Sequence, residues 1–175
     1  MTQIDTYLSQ AIDSYPYDLK ETIESLDYAL SYDENNVGAL CLYGRVYSEQ
    51  MPRYEQAKSY FQKALSIDLQ AIEVYPYYIQ TLLLNEDFDE AKKLIDFAMT
   101  VKGINKLEVL SKKVQCLEIL GEYDEVKQIL KEMELLLLNF DYKDFIEETK
   151  KRISNKEKLL KETVVKKEAK KLKKK

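Results

Sequence analysis

The sequence predicts an all-α protein assembled from helix hairpins that repeat along the chain. Apolar residues stand three and four positions apart through most of the sequence, the spacing that places side chains on one face of a helix. Small residues recur at an interval of 34 to 35 positions, which indicates a repeating structural unit. Only 4 Gly and 3 Pro occur in the 175 residues, so few positions interrupt a helix.

The hairpin pattern is clearest at residues 37–68. The apolar faces of its two helices are formed by residues at helical spacing: Leu40, Tyr43, Gly44 and Tyr47 in the first, then Tyr54, Ala57, Phe61, Ala64 and Ile67 in the second. Pro52 lies between them, and because proline lacks an amide hydrogen it favours a helix boundary there. Gly44, Ala57 and Ala64 leave room for two antiparallel helices to approach closely.

The same pattern recurs on both sides of this hairpin. Pairs of small or apolar residues stand 34 to 35 positions apart along the chain: Thr22 and Ala29, Ala57 and Ala64, Ala91 and Ala98, then Val126 and Met133. An aromatic residue opens the second helix of three successive units, at Tyr54, Phe88 and Tyr123. The repeat is therefore defined by spacing and by residue type together.

With this period, these small residues and these aromatics, residues 3–140 resemble the tetratricopeptide repeat (TPR), a helix-turn-helix unit of about 34 residues. The resemblance implies a right-handed α-solenoid of three to four degenerate repeats, closed by a capping helix and continued by a long basic C-terminal helix. The proline that ends a typical repeat is missing, and the chain has no tryptophan. The expected hairpins are residues 3–31, 37–68, 71–101 and 105–139, with the capping helix from about residue 142.

Capping residues predict where single helices begin and end. Asn36 and Asn105 are expected to cap the helices that follow them, and Gly103 and Gly121 are expected to end helices. The later helices are expected at Leu69–Leu84, at Phe88–Val101 and from Tyr123 to about Asn139.

Four consecutive leucines, Leu135–Leu138, cannot all be buried by one face of a helix. The segment that follows carries an apolar stripe at Phe145, Ile146 and Ile153. We expect this stripe of the capping helix to cover the leucines.

The charge distribution divides the sequence near residue 150. Residues 1–150 hold 15 Lys or Arg and 28 Asp or Glu, a net charge of −13, whereas residues 151–175 hold 12 and 3, a net charge of +9. We expect a TPR-like helical domain at 1–150 and a basic helical or disordered tail at 151–175. Seven tail lysines are candidates for binding a polyanion such as RNA, DNA or lipid headgroups: Lys166, Lys167, Lys170, Lys171, Lys173, Lys174 and Lys175.

No residue pattern indicates catalysis. The chain has no histidine, which is the commonest general base and metal ligand, and its glycines are too scattered to form a phosphate-binding loop. Cys41 and Cys116 lack metal or redox spacing and are expected to be free core thiols. We expect a non-enzyme without cofactor or metal, and a cytoplasmic one because no signal peptide or membrane segment is present.

In the TPR fold the first helices of the repeats line a concave groove, and the resemblance implies that residues between the packing positions bind a peptide there. The candidates are Cys41, Arg45, Ser48, Glu49, Glu73, Tyr77, Gln80, Leu84, Ser111, Lys112, Gln115 and Glu118. Some members of the family hold the acidic tails of heat-shock chaperones in a clamp of Lys, Asn and Arg. At four matching positions this chain has Cys41, Arg45, Tyr77 and Glu108, none of which is the clamp residue. Only Lys112 has the charge of the corresponding clamp residue, so a heat-shock chaperone tail is not expected as the ligand.

Two functions stay open. An interaction module, either an adaptor or a small dedicated chaperone, would bind a protein or peptide partner in the groove. Alternatively, the basic tail would tether the protein to a polyanion, although it has no aromatic residues to stack on bases and the acidic body repels phosphate. Nucleic acid is expected only as a partner of the tail, and the chain is also compatible with a homo-oligomer.

Overall fold

The computed structural model describes residues 3–138 and 141–172, with side chains described for 6–138 and 141–163. Within these residues every regular element is helical: α1 Gln3–Ser14, α2 Leu19–Tyr32, α3 Val37–Arg45, α4 Tyr54–Ile67, α5 Val74–Leu84, α6 Phe88–Ala98, α7 Lys106–Leu120, α8 Tyr123–Leu136 and α9 Lys143–Leu172. A π-helical segment, Val46–Gln50, continues α3. The predicted all-α class is confirmed.

The start of α5 differs from the prediction. The helix begins at Val74 and not at Leu69. Asp68 Oδ1 accepts the Gln70 amide at 2.7 Å. Such a local side-chain bond gives the backbone an alternative to the helix, so residues 69–73 form turns.

The end of α6 is also displaced. The helix ends at Ala98 and not at Val101, because the amide and the hydroxyl of Thr100 both donate to the carbonyl of Phe97. Gly103 lies in the loop after α6, at φ 86°, and so does not end the helix. The end of α8 is displaced as well. This helix ends at Leu136 and not near Asn139, which lies outside the described residues.

The predicted caps at Asn36, Asn105 and Gly121 are confirmed. Asn36 Oδ1 accepts the Ala39 amide at 2.9 Å, and Asn105 Oδ1 accepts the Glu108 amide at 3.2 Å. Gly121 follows the last residue of α7 at φ 77°, the left-handed conformation that glycine adopts without strain. Local hydrogen bonding therefore fixes the first turns of α3 and α7.

Gly44 is the point at which α3 and α4 approach closely. A Cβ added to Gly44 would lie 2.5 Å from Cε1 of Phe61, whose ring is fully buried. Ala57 and Ala64, on the same helix as Phe61, are also fully buried. The small residues of the 37–68 hairpin therefore have the packing role that the sequence predicts.

The chain forms two compact units, Met1–Lys112 and Lys113–Lys175, with the boundary inside α7. In the first unit α1 packs on α2, α3 on α4, and α5 on α6, and α4 also contacts α5. Tyrosine rings fill part of its interior, with Tyr43 stacked on Tyr60 at 4.9 Å between centroids. The division expected at residue 150 stays a prediction.

In the second unit α9 packs against α8. Residues at helical spacing are buried on each helix: Val126, Leu130 and Met133 on α8, and Ile146, Thr149 and Ile153 on α9. The two helices therefore face each other with one apolar stripe each.

The predicted cover of Leu135–Leu138 is wrong. Leu135 is 88% exposed and Leu138 is 99% exposed. Leu135 comes two residues after the buried Met133, which turns it to the other side of α8. The helix ends at Leu136, so Leu138 no longer lies on it. The stripe of α9 covers the face that ends at Met133 and leaves Leu135 and Leu138 exposed, whereas Leu136 and Leu137 are half-buried.

Cys41 and Cys116 are both buried thiols that form no disulfide, as predicted. Each lies on the first helix of a hairpin, α3 or α7. Among the helices that the structure describes, none is both long enough and apolar enough to cross a membrane.

Candidate functional site

Arg45 and Glu49 stand four residues apart where α3 passes into its π-helical continuation. Arg45 Nε donates to Glu49 Oε1 at 3.2 Å, and the two side chains are 26% and 37% exposed. Short π-helical segments inside α-helices are frequent at functional sites. The pair is therefore a partly exposed charged group at an irregular point of the backbone.

The guanidinium of Arg45 lies between two tyrosine rings. Its Cζ atom is 4.7 Å from the ring centroid of Tyr15 and 4.2 Å from that of Tyr77, close enough for cation–π contacts with both. The Tyr15 hydroxyl donates to Glu49 Oε2. Two rings and one carboxylate thus hold Arg45 in a single orientation. Within the described residues only its Nε–H has a protein acceptor, and the other N–H groups of Arg45 are available to a ligand.

Gln80 and Lys112 extend this group onto α5 and α7. Lys112 Nζ donates to Gln80 Oε1 at 2.8 Å. Burial lowers the pKa of Lys112, and the negative charges of Glu108 and Glu49 oppose that effect. We use the term first-helix surface for the side chains of Tyr15, Arg45, Glu49, Tyr77, Gln80 and Lys112, because all but Tyr15 lie on the first helix of a hairpin or on its continuation.

A pocket of about 270 Å³ lies beside Tyr77 in the first unit. Its walls include Ile72, Glu73, Pro76, Tyr77, Ile104 and Glu108, and we call it the Tyr77 pocket. Small-molecule sites usually occupy roughly 300–1,000 Å³, so this pocket suits one amino-acid side chain better than a cofactor. Tyr77 belongs both to the pocket wall and to the stack on Arg45.

Several ionisable groups of this region keep one protonation state at neutral pH. Burial and the hydrogen bond to Glu49 raise the pKa of Tyr15 to about 12. Burial, with the charge of Glu73, raises the pKa of the Cys41 thiol to about 12. Burial alone would lower the pKa of Arg45, but the bond to Glu49 raises it overall. A neutral phenol, a neutral thiol and a permanent cation are suited to binding and not to proton transfer or nucleophilic attack.

Three predicted groove residues contribute little surface. Cys41, Ser48 and Ser111 are only 5%, 6% and 7% exposed. Thr81 Oγ1, fully buried on α5, donates to Ser48 Oγ at 2.8 Å and so joins α5 to the π-helical segment. These residues act on the site through packing.

The other candidates fall into separate groups. Arg45, Glu49, Tyr77, Gln80 and Lys112 come together on the first-helix surface, and Glu73 lines the adjoining Tyr77 pocket. Leu84 is 47% exposed at the end of α5. Gln115 and Glu118 belong to the second unit, where Gln115 is half-buried.

Glu118 is part of an ion cluster inside the second unit. Its carboxylate accepts from Arg152 Nε and Nη2 at 2.7 and 2.8 Å, and from Lys156 Nζ at 2.7 Å. The side chain of Glu118 is 10% exposed. The bonds from Arg152 lower the pKa of Glu118 from 4.5 to about 2, and they outweigh burial, which acts to raise it. Glu118 thus links α7 to α9 and is occupied by its own chain.

The Glu118 cluster predicts an acid-sensitive contribution to stability. Because the pKa of Glu118 is lower in the folded chain, the cluster stabilises the fold fully above pH 4.5 and is lost as the pH falls toward about 2. At neutral pH we expect Glu118→Gln to lower the free energy of unfolding by about 1–3 kcal/mol. Urea unfolding monitored by circular dichroism at a series of pH values measures this difference.

The matched control is Glu132→Gln, which removes an exposed carboxylate from α8 in the same unit. Its effect on stability should be small at every pH. If Glu118→Gln and wild type differ by the same amount near pH 7 and near pH 2.5, the cluster does not stabilise the fold through the charge of Glu118.

The tail lysines named as polyanion candidates are only partly placed. Lys166, Lys167, Lys170 and Lys171 lie on the backbone of α9, and their side chains are outside those described. Lys173, Lys174 and Lys175 lie outside the described residues. Arg152 and Lys156, nearer the start of the tail, are bound to Glu118.

Two features of the site were not predicted from the sequence. Tyr15, one wall of the Arg45 stack, lies in the turn after α1 and stands 30 positions before Arg45, so no local spacing connects them. The Tyr77 pocket combines residues near the start of α5 with Ile104 in a loop. The other members of the first-helix surface were named from the sequence because they lie between the packing positions of the first helices.

The sequence matches no protein-family profile and no curated protein. Its structure is similar to solved structures. One is the crystal structure of the MamA protein, with a TM-score of 0.64, 16% identity, and 94% of this chain and 92% of that chain covered. Another is Pseudomonas aeruginosa PilF, with a TM-score of 0.42, 18% identity, and coverage of 83% and 82%.

The similarity to MamA defines the class of fold. MamA is a TPR protein, and the similarity extends over nearly the whole of both chains. The present chain therefore has a TPR-like fold of repeated helix hairpins, and the resemblance inferred from the sequence is confirmed at the level of the fold.

Proposed function

We propose that this protein is a non-enzymatic interaction module that binds a peptide or a segment of a partner protein at the first-helix surface. The observation that carries the proposal is the arrangement of Arg45 between Tyr15 and Tyr77. Arg and Tyr are the side chains that most often dominate binding energy at protein interfaces. The TPR-like fold supports a protein partner in general.

Arg45 can bind a partner at low entropic cost. Its side chain is already held by Glu49 and by two rings, so little rotamer freedom is lost on binding. Its remaining N–H groups can donate to backbone carbonyls or to a carboxylate of a peptide. The planar guanidinium of Arg45 then determines the position of the peptide on the surface.

Gln80 and Tyr77 can supply the neighbouring contacts. The amide of Gln80 has an NH₂ group that donates, while its oxygen accepts from Lys112. The hydroxyl of Tyr77 has no hydrogen bond within the described part of the chain, and its ring borders the Tyr77 pocket. A peptide backbone could thus be held by Arg45 and Gln80 while one of its side chains enters the pocket.

Either an adaptor or a dedicated chaperone would use the surface in this way. In both cases the bound segment would lie along a groove formed by first helices, and the protein would act in the cytoplasm. Recognition of an extended or helical segment is the mode that such a mixed aromatic and amide surface favours.

The proposal is tested with peptides selected from a random display library on the intact protein. The affinity of a selected peptide is measured by fluorescence anisotropy for Arg45→Gln and Tyr77→Ala. Each change should weaken binding at least about tenfold, the loss expected of interface residues that dominate affinity.

Matched controls come from the same residue types outside the set that defines the first-helix surface. Arg53 and Tyr17 are both exposed, and Tyr17 is 93% exposed. Arg53→Gln and Tyr17→Ala should leave the affinity unchanged. A selected peptide that binds all four variants equally would show that the first-helix surface is not the binding site. Circular dichroism of each variant shows whether the fold is retained.

A further inference from the structure

The last part of α9 is only loosely packed among the described side chains, since Leu159, Leu160 and Thr163 border Tyr123 of α8 across an open pocket. Ile153 is the last buried residue that the structure describes, and the last described ion pair joins Lys127 to Glu157 at 2.5 Å. Leu159 and Leu160 are 62% and 54% exposed. α9 nevertheless continues as a helix to Leu172.

Such a segment is a poor helix without a partner surface. Residues 158–175 hold 9 Lys and 2 Glu, a net charge of +7. Lys166 and Lys170 stand four apart, as do Lys167 and Lys171, and like charges at this spacing repel each other. A helix of this length is marginal in water even with a favourable sequence. An acidic surface with an apolar pocket would stabilise it.

The first unit offers a surface of this kind. Residues 1–112 hold 10 Lys or Arg and 18 Asp or Glu, a net charge of −8. In the Tyr77 pocket the carboxylates of Glu73 and Glu108 make no hydrogen bond or ion pair with the described residues. The pocket has no Lys or Arg among its described lining residues. Neither carboxylate has a cation in direct contact among the described residues, although the charge of Glu108 acts on Lys112, so the pocket can accept a cation from outside.

The apolar walls of the pocket match the methylene stem of a lysine side chain. Ile72, Pro76 and Ile104 stand beside the two carboxylates in the lining. A lysine buries its methylene stem on apolar groups and keeps its ammonium at the polar edge. The pocket therefore has the composition that a lysine side chain requires.

We propose that the basic segment 158–175 of one copy binds the Tyr77 pocket of a second copy. One lysine places its stem on Ile72 and Pro76 and its ammonium against Glu73 and Glu108, and the neighbouring lysines meet the acidic surface of the first unit. The inference rests on the proposed function, because it assigns a partner of defined chemistry to the Tyr77 pocket, which adjoins the first-helix surface. Two copies that exchange their segments form a closed dimer.

Sedimentation velocity of the intact protein tests the association. The protein should associate as its concentration rises in about 0.05 M salt, and the association should weaken at least about tenfold in about 0.5 M salt, where charges are screened within a few ångströms. A protein that stays monomeric at the highest concentration in low salt would overturn the proposal. So would a compact state that is independent of concentration, since it would place the segment on its own chain.

Two intact variants make the test specific. Glu73→Gln/Glu108→Gln removes the carboxylates of the pocket, and Lys166→Gln/Lys167→Gln/Lys170→Gln/Lys171→Gln removes four charges from the segment. Each variant alone should fail to associate. A mixture of the two should associate again, because the first supplies an intact segment and the second an intact pocket. Failure of the mixture to associate would contradict the pairing.

The matched control is Glu34→Gln/Glu132→Gln, which changes the net charge by the same amount at two exposed carboxylates. It should associate like wild type. Equal loss of association in the control would show a general charge effect and overturn the pocket assignment. Binding of the wild-type protein to RNA or anionic vesicles without any self-association would identify a polyanion as the partner of the segment instead.

The outcome is separable from that of the proposed function. If self-association survives in Glu73→Gln/Glu108→Gln while selected peptides still depend on Arg45 and Tyr77, this inference fails and the proposed function stands. If the pocket variant abolishes self-association while peptide binding ignores Arg45, the pairing stands and the proposed role of Arg45 fails.

Discussion

Replacing Gly44 with alanine is expected to lower the free energy of unfolding by about 1–3 kcal/mol. The added Cβ would lie 2.5 Å from Cε1 of Phe61, and the buried ring has no room to move away without shifting α4 against α3. Helix propensity acts in the opposite direction, since alanine is favoured over glycine inside a helix by about 1 kcal/mol. A lower free energy of unfolding in urea would show that the contact with Phe61 outweighs the gain in helix propensity.

Gly38, on the same helix, is the matched control for Gly44. A Cβ at Gly38 would lie 3.0 Å from Leu8 Cδ2, the far end of a flexible side chain. Gly38→Ala should therefore leave stability unchanged or raise it slightly. Adding Phe61→Leu to Gly44→Ala should recover part of the loss, because the smaller side chain relieves the contact. If Gly44→Ala were as stable as wild type, the packing of α3 on α4 would be looser than described.

Ending the chain at Asp141 is expected to expose the apolar stripe of α8 and to cause aggregation. Val126, Leu130 and Met133 are fully buried in the presence of α9, and the truncation also removes Ile146 and Ile153. Burial of each such side chain stabilises the fold by about 1.5–3 kcal/mol. Contiguous apolar surface of this kind promotes association. Light scattering of the purified protein measures the result.

Ending the chain at Glu157 should leave the fold intact, because it keeps every described buried residue and ion pair of α9. A pair of point variants tests, without truncation, which part of α9 contributes to stability. Ile153 is 1% exposed and Leu160 is 54% exposed. Ile153→Asp should release α9 and lower the melting temperature, whereas Leu160→Asp should not. Equal melting temperatures for the two variants would contradict the packing of α9 on α8.

The hairpins could be predicted because each one repeats the same local requirement. The small residues Ala57 and Ala64 recur 34 positions later as Ala91 and Ala98, and all four are fully buried. The caps at Asn36 and Asn105 depend only on hydrogen bonds to residues three positions on. Such features are local in the sequence, and so the helix order followed from them.

The features that were missed depend on contacts distant in sequence or on the rotation of a helix. Glu118 binds Arg152, which lies 34 positions later in the sequence. The sequence neighbours of either residue do not distinguish it from other charged residues on helices. The run Leu135–Leu138 showed that some leucines would be exposed but not which ones. The end of α8 at Leu136 and the face of α8 that α9 covers determine which leucines are exposed.

Tyr77 takes part in two contacts at once, because it forms a face of the Arg45 stack and a wall of the Tyr77 pocket. A pocket occupant that turns the ring changes the surroundings of Arg45, and a group bound to Arg45 restrains the ring. Linkage requires that each of these events alter the affinity of the other by the same factor. We therefore expect a partner that carries both groups to bind with an affinity different from the sum of the two separate contacts, because both contacts involve the ring of Tyr77.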